Sequence, residues 1–163
     1  MSILSISDFQ DGMFKIPLNP NQEQELQFTI DFVERNYLVK LFGIELYEAF
    51  ILDQSEPRFV KIFDPIIYEY FGTPLLSDGL KSMLKGFVLY HHVRDLNKRL
   101  TTVNTTIVES ENSKPVSTVN SNINSKYNLS VKNYRVISNY MRTYDKENYP
   151  EFKGVGISNA YFF

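Results

Sequence analysis

The chain contains no cysteine and no tryptophan, and its 163 residues include only 2 histidines. Without cysteine there is no disulfide, no thiolate nucleophile and no zinc–thiolate site. His91 and His92 are adjacent, so on a helix they diverge by about 100° and cannot chelate one ion together. His91 falls on an apolar helix face and reads as a core residue, and His92 as a solvent-facing one. No apolar run approaches the roughly 20 residues that span a bilayer. Met1 to Phe9 lacks the basic flank and continuous apolar stretch of a signal peptide. The expectation is a protein made and folded in a reducing cytoplasm, with no membrane partner. No glycine-rich phosphate loop is present, since Gly154 and Gly156 form the only close pair and precede no helix. No serine or threonine sits in a nucleophile-elbow pattern. Glu45 and Glu48 take neighbouring helical positions but have no third ligand at matching spacing. These patterns predict no catalytic residue, no cofactor and no metal.

What is abundant is aromatic carbon: 13 Phe and 11 Tyr, in a chain that is 43% hydrophobic and 22% charged. That balance is globular, and the length suits one compact domain. Rings in such number build a core or contacts between subunits, because Tyr keeps one end wet. The formal net charge of −2 gives no bulk attraction to nucleic acid.

Residues 1–18 read as an extended N-terminal arm, with Gly12 and Pro17 opposing a helix. A helix is predicted from Asn19 (N-cap) and Pro20 (first position) to Phe42, stopped by Gly43. Leu26, Ile30, Val33, Tyr37 and Leu41 line one face, and Phe28, Phe32 and Val39 form a second apolar stripe. A helix with two apolar stripes is either sandwiched inside its own domain or touches a neighbour. Ile44 to Leu52 is predicted as a second helix and Arg58 to Phe63 as a further turn. Ile66 to Phe71 fits a strand or a short helix, ended by Gly72 and Pro74. A central helix runs from Ser77 to about Leu100, with Leu80, Met83, Leu84, Phe87 and His91 on one face.

Beyond it the composition turns to Thr, Ser, Asn and Val. The alternation around residues 101–118 predicts a strand-like or hairpin arm within a polar stretch 101–122. A last helix is expected over Ile123 to Tyr144, with Ile123, Tyr127, Tyr134, Ile137 and Met141 as its main stripe. Leu129, Val136 and Tyr140 form its second stripe. Residues 150–163 read as an extended tail carrying Phe152 and ending in Tyr161, Phe162 and Phe163. The fold class is therefore mainly α: a small helical bundle over residues 19–149, with extended arms at both ends.

Several strings acquire meaning together. Phe28-Thr29-Ile30-Asp31-Phe32-Val33-Glu34-Arg35-Asn36-Tyr37-Leu38 leads into Leu41-Phe42-Gly43-Ile44-Glu45-Leu46-Tyr47. Asp78-Gly79-Leu80-Lys81 then opens a helix, a polar arm follows from Thr101 to Lys114, and a long helix closes in Asn148-Tyr149-Pro150-Glu151-Phe152. This order, from about Gln24 to Phe152, resembles the head–tail connector (adaptor) ring proteins of tailed bacteriophages, in the version found in phages and prophages of Bacteroidetes, including the crAss-like phages. The resemblance implies a structural virion protein rather than an enzyme, assembled in the host cytoplasm and located in the virion neck. It implies a homo-oligomer, a dodecameric ring beneath the portal protein. That ring extends the DNA channel and provides a platform for the next neck or tail protein.

On that reading Phe28, Phe32, Val39, Leu129, Val136, Tyr140 and Phe152 are expected at subunit interfaces. Tyr161, Phe162 and Phe163 are expected to dock on another subunit or on the portal. Lys81, Lys85 and Arg99 become candidates for lining a channel in non-specific proximity to genomic DNA. The rival reading is a helical nucleic-acid-binding regulator, built on the stripe of Lys81, Lys85, His92 and Arg99. Asp95 lies beside that stripe, and no helix-turn-helix spacing accompanies it.

Overall fold

The structure, a computed structural model, describes residues 2–18, 22–102 and 116–159, and at the helix ends 97–102 and 116–121 it describes the backbone alone. The chain is mainly helical. Helix α1 spans Glu23–Phe42, α2 Ile44–Leu52 and α3 Pro57–Phe63. An antiparallel hairpin of β1 (Ile66–Tyr70) and β2 (Thr73–Ser77) follows. Two long helices, α4 (Gly79–Thr102) and α5 (Val116–Asn139), complete the bundle. A single π-helical turn at Tyr140–Tyr144 ends α5.

The periodicity of α1 predicts its buried face: Leu26, Ile30, Val33, Tyr37 and Leu41 all lie in the core. Gly43 ends the helix at φ 80°, and its N–H reaches the Val39 carbonyl at 2.9 Å. Phe42, Phe50 and Phe59 then join α1, α2 and α3 in one ring cluster, with centroids 5.1–6.2 Å apart. Such a cluster combines burial of large apolar area with edge-to-face ring geometry.

Helices α4 and α5 make the most extensive pairing in the molecule. Gly86 is the reason they approach so closely. A β-carbon on it would lie 2.0 Å from the Ser130 hydroxyl and 3.0 Å from the Lys126 carbonyl. Leu80, Met83, Leu84, Phe87 and Val88 fill the α4 side, and Val131, Tyr134, Ile137 and Met141 the α5 side. Tyr37 joins α1 to this pair by stacking on Phe87, with centroids 3.9 Å apart and planes 14° from parallel. The hairpin closes one end: Ile66 and Tyr68 are buried, and the Tyr68 hydroxyl donates to the Val136 carbonyl at 3.1 Å.

Three expectations need correction. The N-terminal segment is no free arm, because Ile3, Leu4, Phe9, Phe14 and Ile16 are buried in the chain's own core. Each such side chain contributes roughly 1.5–3 kcal/mol on burial, enough to offset the ordering of a short segment. The Glu34 carboxylate completes the docking by accepting the N–H groups of Ile3 (3.0 Å) and Leu4 (2.7 Å). The strand-like arm at 101–118 fails at both ends, since α4 continues to Thr102 and α5 begins at Val116. Thr and Val are poorer helix formers than Ala by only a few tenths of a kcal/mol, so extending an established helix overrides them. The intervening part of that arm, and the predicted start at Asn19 and Pro20, lie outside the described residues. Finally, Ser77 belongs to β2 rather than to the central helix, which starts at Gly79.

After a turn at 150–151, residues 152–159 carry no helix or strand and dock on their own chain. The Lys153 N–H donates to the Phe42 carbonyl (3.1 Å) and the Val155 N–H to the Lys40 carbonyl (2.8 Å). The Tyr134 hydroxyl donates to the Val155 carbonyl at 2.5 Å.

Replacing a helical glycine by alanine ordinarily stabilises a helix by about 1 kcal/mol. At Gly86 the sign reverses: Gly86→Ala is expected to lower the unfolding free energy by about 1–3 kcal/mol through overpacking. The Ser130 hydroxyl is buried with no hydrogen-bond partner among the described residues. Ser130→Ala alone is therefore expected to be nearly neutral, and in the double variant to recover most of the loss. Urea denaturation of the three variants checks this.

Candidate interaction surface

Helix α1 turns two phenylalanines away from its core face. Phe28 is 65% exposed and Phe32 53% exposed, one helical turn apart. With Thr29 and Glu25 they form one wall of a groove whose other wall, on α4, carries His91, His92, Asp95 and Leu96. The groove encloses about 200 Å³. Its floor is fixed by a chain of contacts: Phe32 meets His91 edge-on at 5.6 Å, and His91 Nε2 lies 3.0 Å from the Tyr37 hydroxyl. Burial pushes the Tyr37 phenol far above its usual range, so it stays neutral. The roles expected of the two histidines are exchanged. His92 is 3% exposed and His91 half-buried, although His91 is the one that meets Phe32 and Tyr37 of α1.

A second apolar surface lies on the hairpin. Ile67 and Leu76 are cross-strand partners on its outer face, and both are exposed. At the tip, Phe71 is 90% exposed and holds φ +48°, followed by Gly72 at +74°. Two successive positive φ values make the mirror-image turn that suits a two-residue hairpin, where Asn-Gly or Asp-Gly is usual. A phenylalanine in that conformation costs about 1–2 kcal/mol. Leu52, at the end of α2, is likewise exposed. The sequence reading missed this surface because Phe71-Gly72 carries only the second half of the turn signal.

The remaining expected interface residues divide. Val136 is 5% exposed, and Tyr140 lies among Tyr68, Tyr144 and Tyr149, donating to the Asp145 carboxylate at 3.1 Å. Burial pushes the Tyr140 phenol up to about 12. Both serve the chain's own packing, since the hairpin covers the face of α5 that the second stripe occupies. Val39 and Leu129 are half-buried. Phe152 is also half-buried, packs against the core and lies under the Arg142 guanidinium at 5.6 Å. Tyr161, Phe162 and Phe163 lie outside the described residues.

The basic stripe comes apart. Lys81 is exposed, but Lys85 is paired with Asp8 at 3.0 Å, and His92 is buried. The side chain of Arg99 lies outside the described residues. Among the described residues, no group of three metal-ligating side chains occurs, and no helix is long and apolar enough to cross a membrane. A scan against protein-family models, a search of curated proteins and a search of solved structures each find no match.

The Asp8–Lys85 pair makes a checkable statement about pH. Burial alone would raise the Asp8 carboxyl, but the Ser5 N–H, the Lys85 ammonium and the Ser5 hydroxyl outweigh it and hold it below its usual value. A carboxyl depressed in the folded state adds stability above its unfolded pKa, and that stability is lost as pH falls through the folded value. The stability gap between the native chain and Asp8→Asn is therefore expected to be full above about pH 4 and to shrink in more acid solution. Unfolding titrations across that range check it, and a constant gap would mean that Ser5 and Lys85 together do not favour the Asp8 carboxylate in the folded chain.

Proposed function

We propose that the chain is a structural subunit that assembles with copies of itself, as a ring protein of a bacteriophage neck. In that role it would sit between the portal protein and the next neck or tail protein, extending the DNA channel in the virion. The observation that carries the self-assembly reading is the placement of Phe28, Phe32, Ile67, Phe71 and Leu52 in solvent, on a chain whose core is closed without them. Exposed apolar side chains gathered into patches are the usual mark of a protein–protein contact. Aromatic anchors are also the residues on which interface affinity concentrates. The order of short strings from Phe28 to Phe152 supplies the neck assignment by resemblance. The regulator reading loses support, because Lys85 and His92 are withdrawn from the stripe it needs.

Native mass spectrometry over a concentration series tests the proposal. The native chain is expected to pass from monomer to a discrete multi-subunit species as concentration rises. Phe28→Ser combined with Phe32→Ser, and separately Phe71→Ser, are expected to move that transition at least about tenfold higher, the effect of losing about 1.4 kcal/mol per contact. Thermal unfolding of the monomers should change little, since these rings are exposed. A monomer at every concentration would overturn the self-assembly reading.

A further inference from the structure

The two edges of the hairpin are not alike, and Pro74 is the reason. Tyr70 and Thr73 close the two-residue turn, so they exchange main-chain hydrogen bonds. Bonded and unbonded pairs then alternate along the ladder. Tyr68 with Leu75 and Ile66 with Ser77 are bonded pairs, while Glu69 with Pro74 and Ile67 with Leu76 are not. Proline has no N–H to give, so inside a ladder it suits only an unbonded position, and the register puts Pro74 at one. The main-chain groups of unbonded residues point away from the hairpin. On β2 that outward edge is interrupted by Pro74. On β1 it offers the N–H and C=O of both Ile67 and Glu69, and among the described residues no hydrogen bond reaches them. An open edge beside an interrupted one gives a seat for an added strand on one side only.

We infer that the β1 edge pairs antiparallel with the β1 edge of a second copy, about a two-fold axis at Tyr68. The second copy is the occupant because β1 is complementary to itself. With Tyr68 facing Tyr68 of the second copy, Ile67 meets Glu69 and Glu69 meets Ile67. Every N–H and C=O that those residues turn outward then finds a partner. The neighbouring registers fail. One sets Glu69 against Glu69 and opposes like charges. The other sets Glu69 against Pro65, which has no N–H to return. Glu69 thus selects the register rather than blocking the edge. The same register carries Pro65 of one copy to Phe71 of the other, and both are exposed in the single chain. The Phe71 ring gains an apolar neighbour there. Because Pro74 interrupts β2, the joined sheet stops at β2 on each side and does not grow into a fibre. The contact is isologous, so it joins subunits or whole rings in pairs and is separate from any head-to-tail contact. The inference rests on the self-assembly reading, of which it names one contact.

Amide hydrogen exchange of the full chain over a concentration series tests this, with native mass spectrometry recording the species present. In dilute monomer the Ile67 and Glu69 amides are expected to exchange as open edge groups. In the associated species both are expected to slow by about tenfold or more. Ile67→Pro removes an outward N–H while leaving the hairpin's own bonds, and is expected to abolish the dimer. Ile67→Thr keeps that N–H and a strand-favouring side chain, and is expected to retain it. The exchange measurement is made on the native chain and stands whatever Ile67→Pro does to the fold. Assemblies that form while the Ile67 and Glu69 amides still exchange freely would overturn this inference and leave the self-assembly reading standing. A monomer at every concentration would overturn both.

Discussion

Gly86 brings α4 so near α5 that the Ser130 hydroxyl lies where a β-carbon would otherwise stand, and the other elements are laid on the slab these two helices form. Helix α1 can add its Tyr37 ring to Phe87 only because the α4–α5 crossing fixes where Phe87 points. The hairpin rests on α5 through Tyr68, and the N-terminal segment reaches α4 through the Asp8–Lys85 pair. Close helix crossings leave no slack, since protein interiors pack like organic crystals and respond to a single methyl group.

The parts legible in the sequence were those governed by helical period and strong punctuation. The buried face of α1, its stop at Gly43 and the bounds of α2 follow directly from the spacing of apolar residues. The parts that were not legible depend on tertiary contacts. Isolated apolar residues such as Ile3, Phe9 and Phe14 look like an arm until a surface exists to receive them, and Glu34 marks that surface only once folded. Likewise, nothing in the local pattern reveals that Lys85 has a partner at Asp8. The burial of His92 rather than His91 depends on packing that helical period alone leaves undetermined. The stripe of Phe28 and Phe32 was legible, whereas Val136 and Tyr140 were misassigned because the hairpin claims their side of α5.

The surface that results has two apolar regions at different ends of the bundle, one in the α1–α4 groove and one on the hairpin. A subunit in a closed ring needs complementary patches of this kind on separate faces, because a heterologous contact joins unlike surfaces of successive copies. The hairpin tip is the more telling of the two. Phe71 is held in a left-handed conformation with its ring 90% exposed, touching the Tyr70 ring at 4.5 Å. On the proposed reading, the cost of that conformation is recovered when the ring enters a neighbour.

Electron microscopy of the purified chain, at the highest concentration at which it stays in solution, tests the central claim most directly. The account predicts closed rings of a single diameter and subunit number. Only dispersed single subunits, or open and irregular clusters, would contradict it.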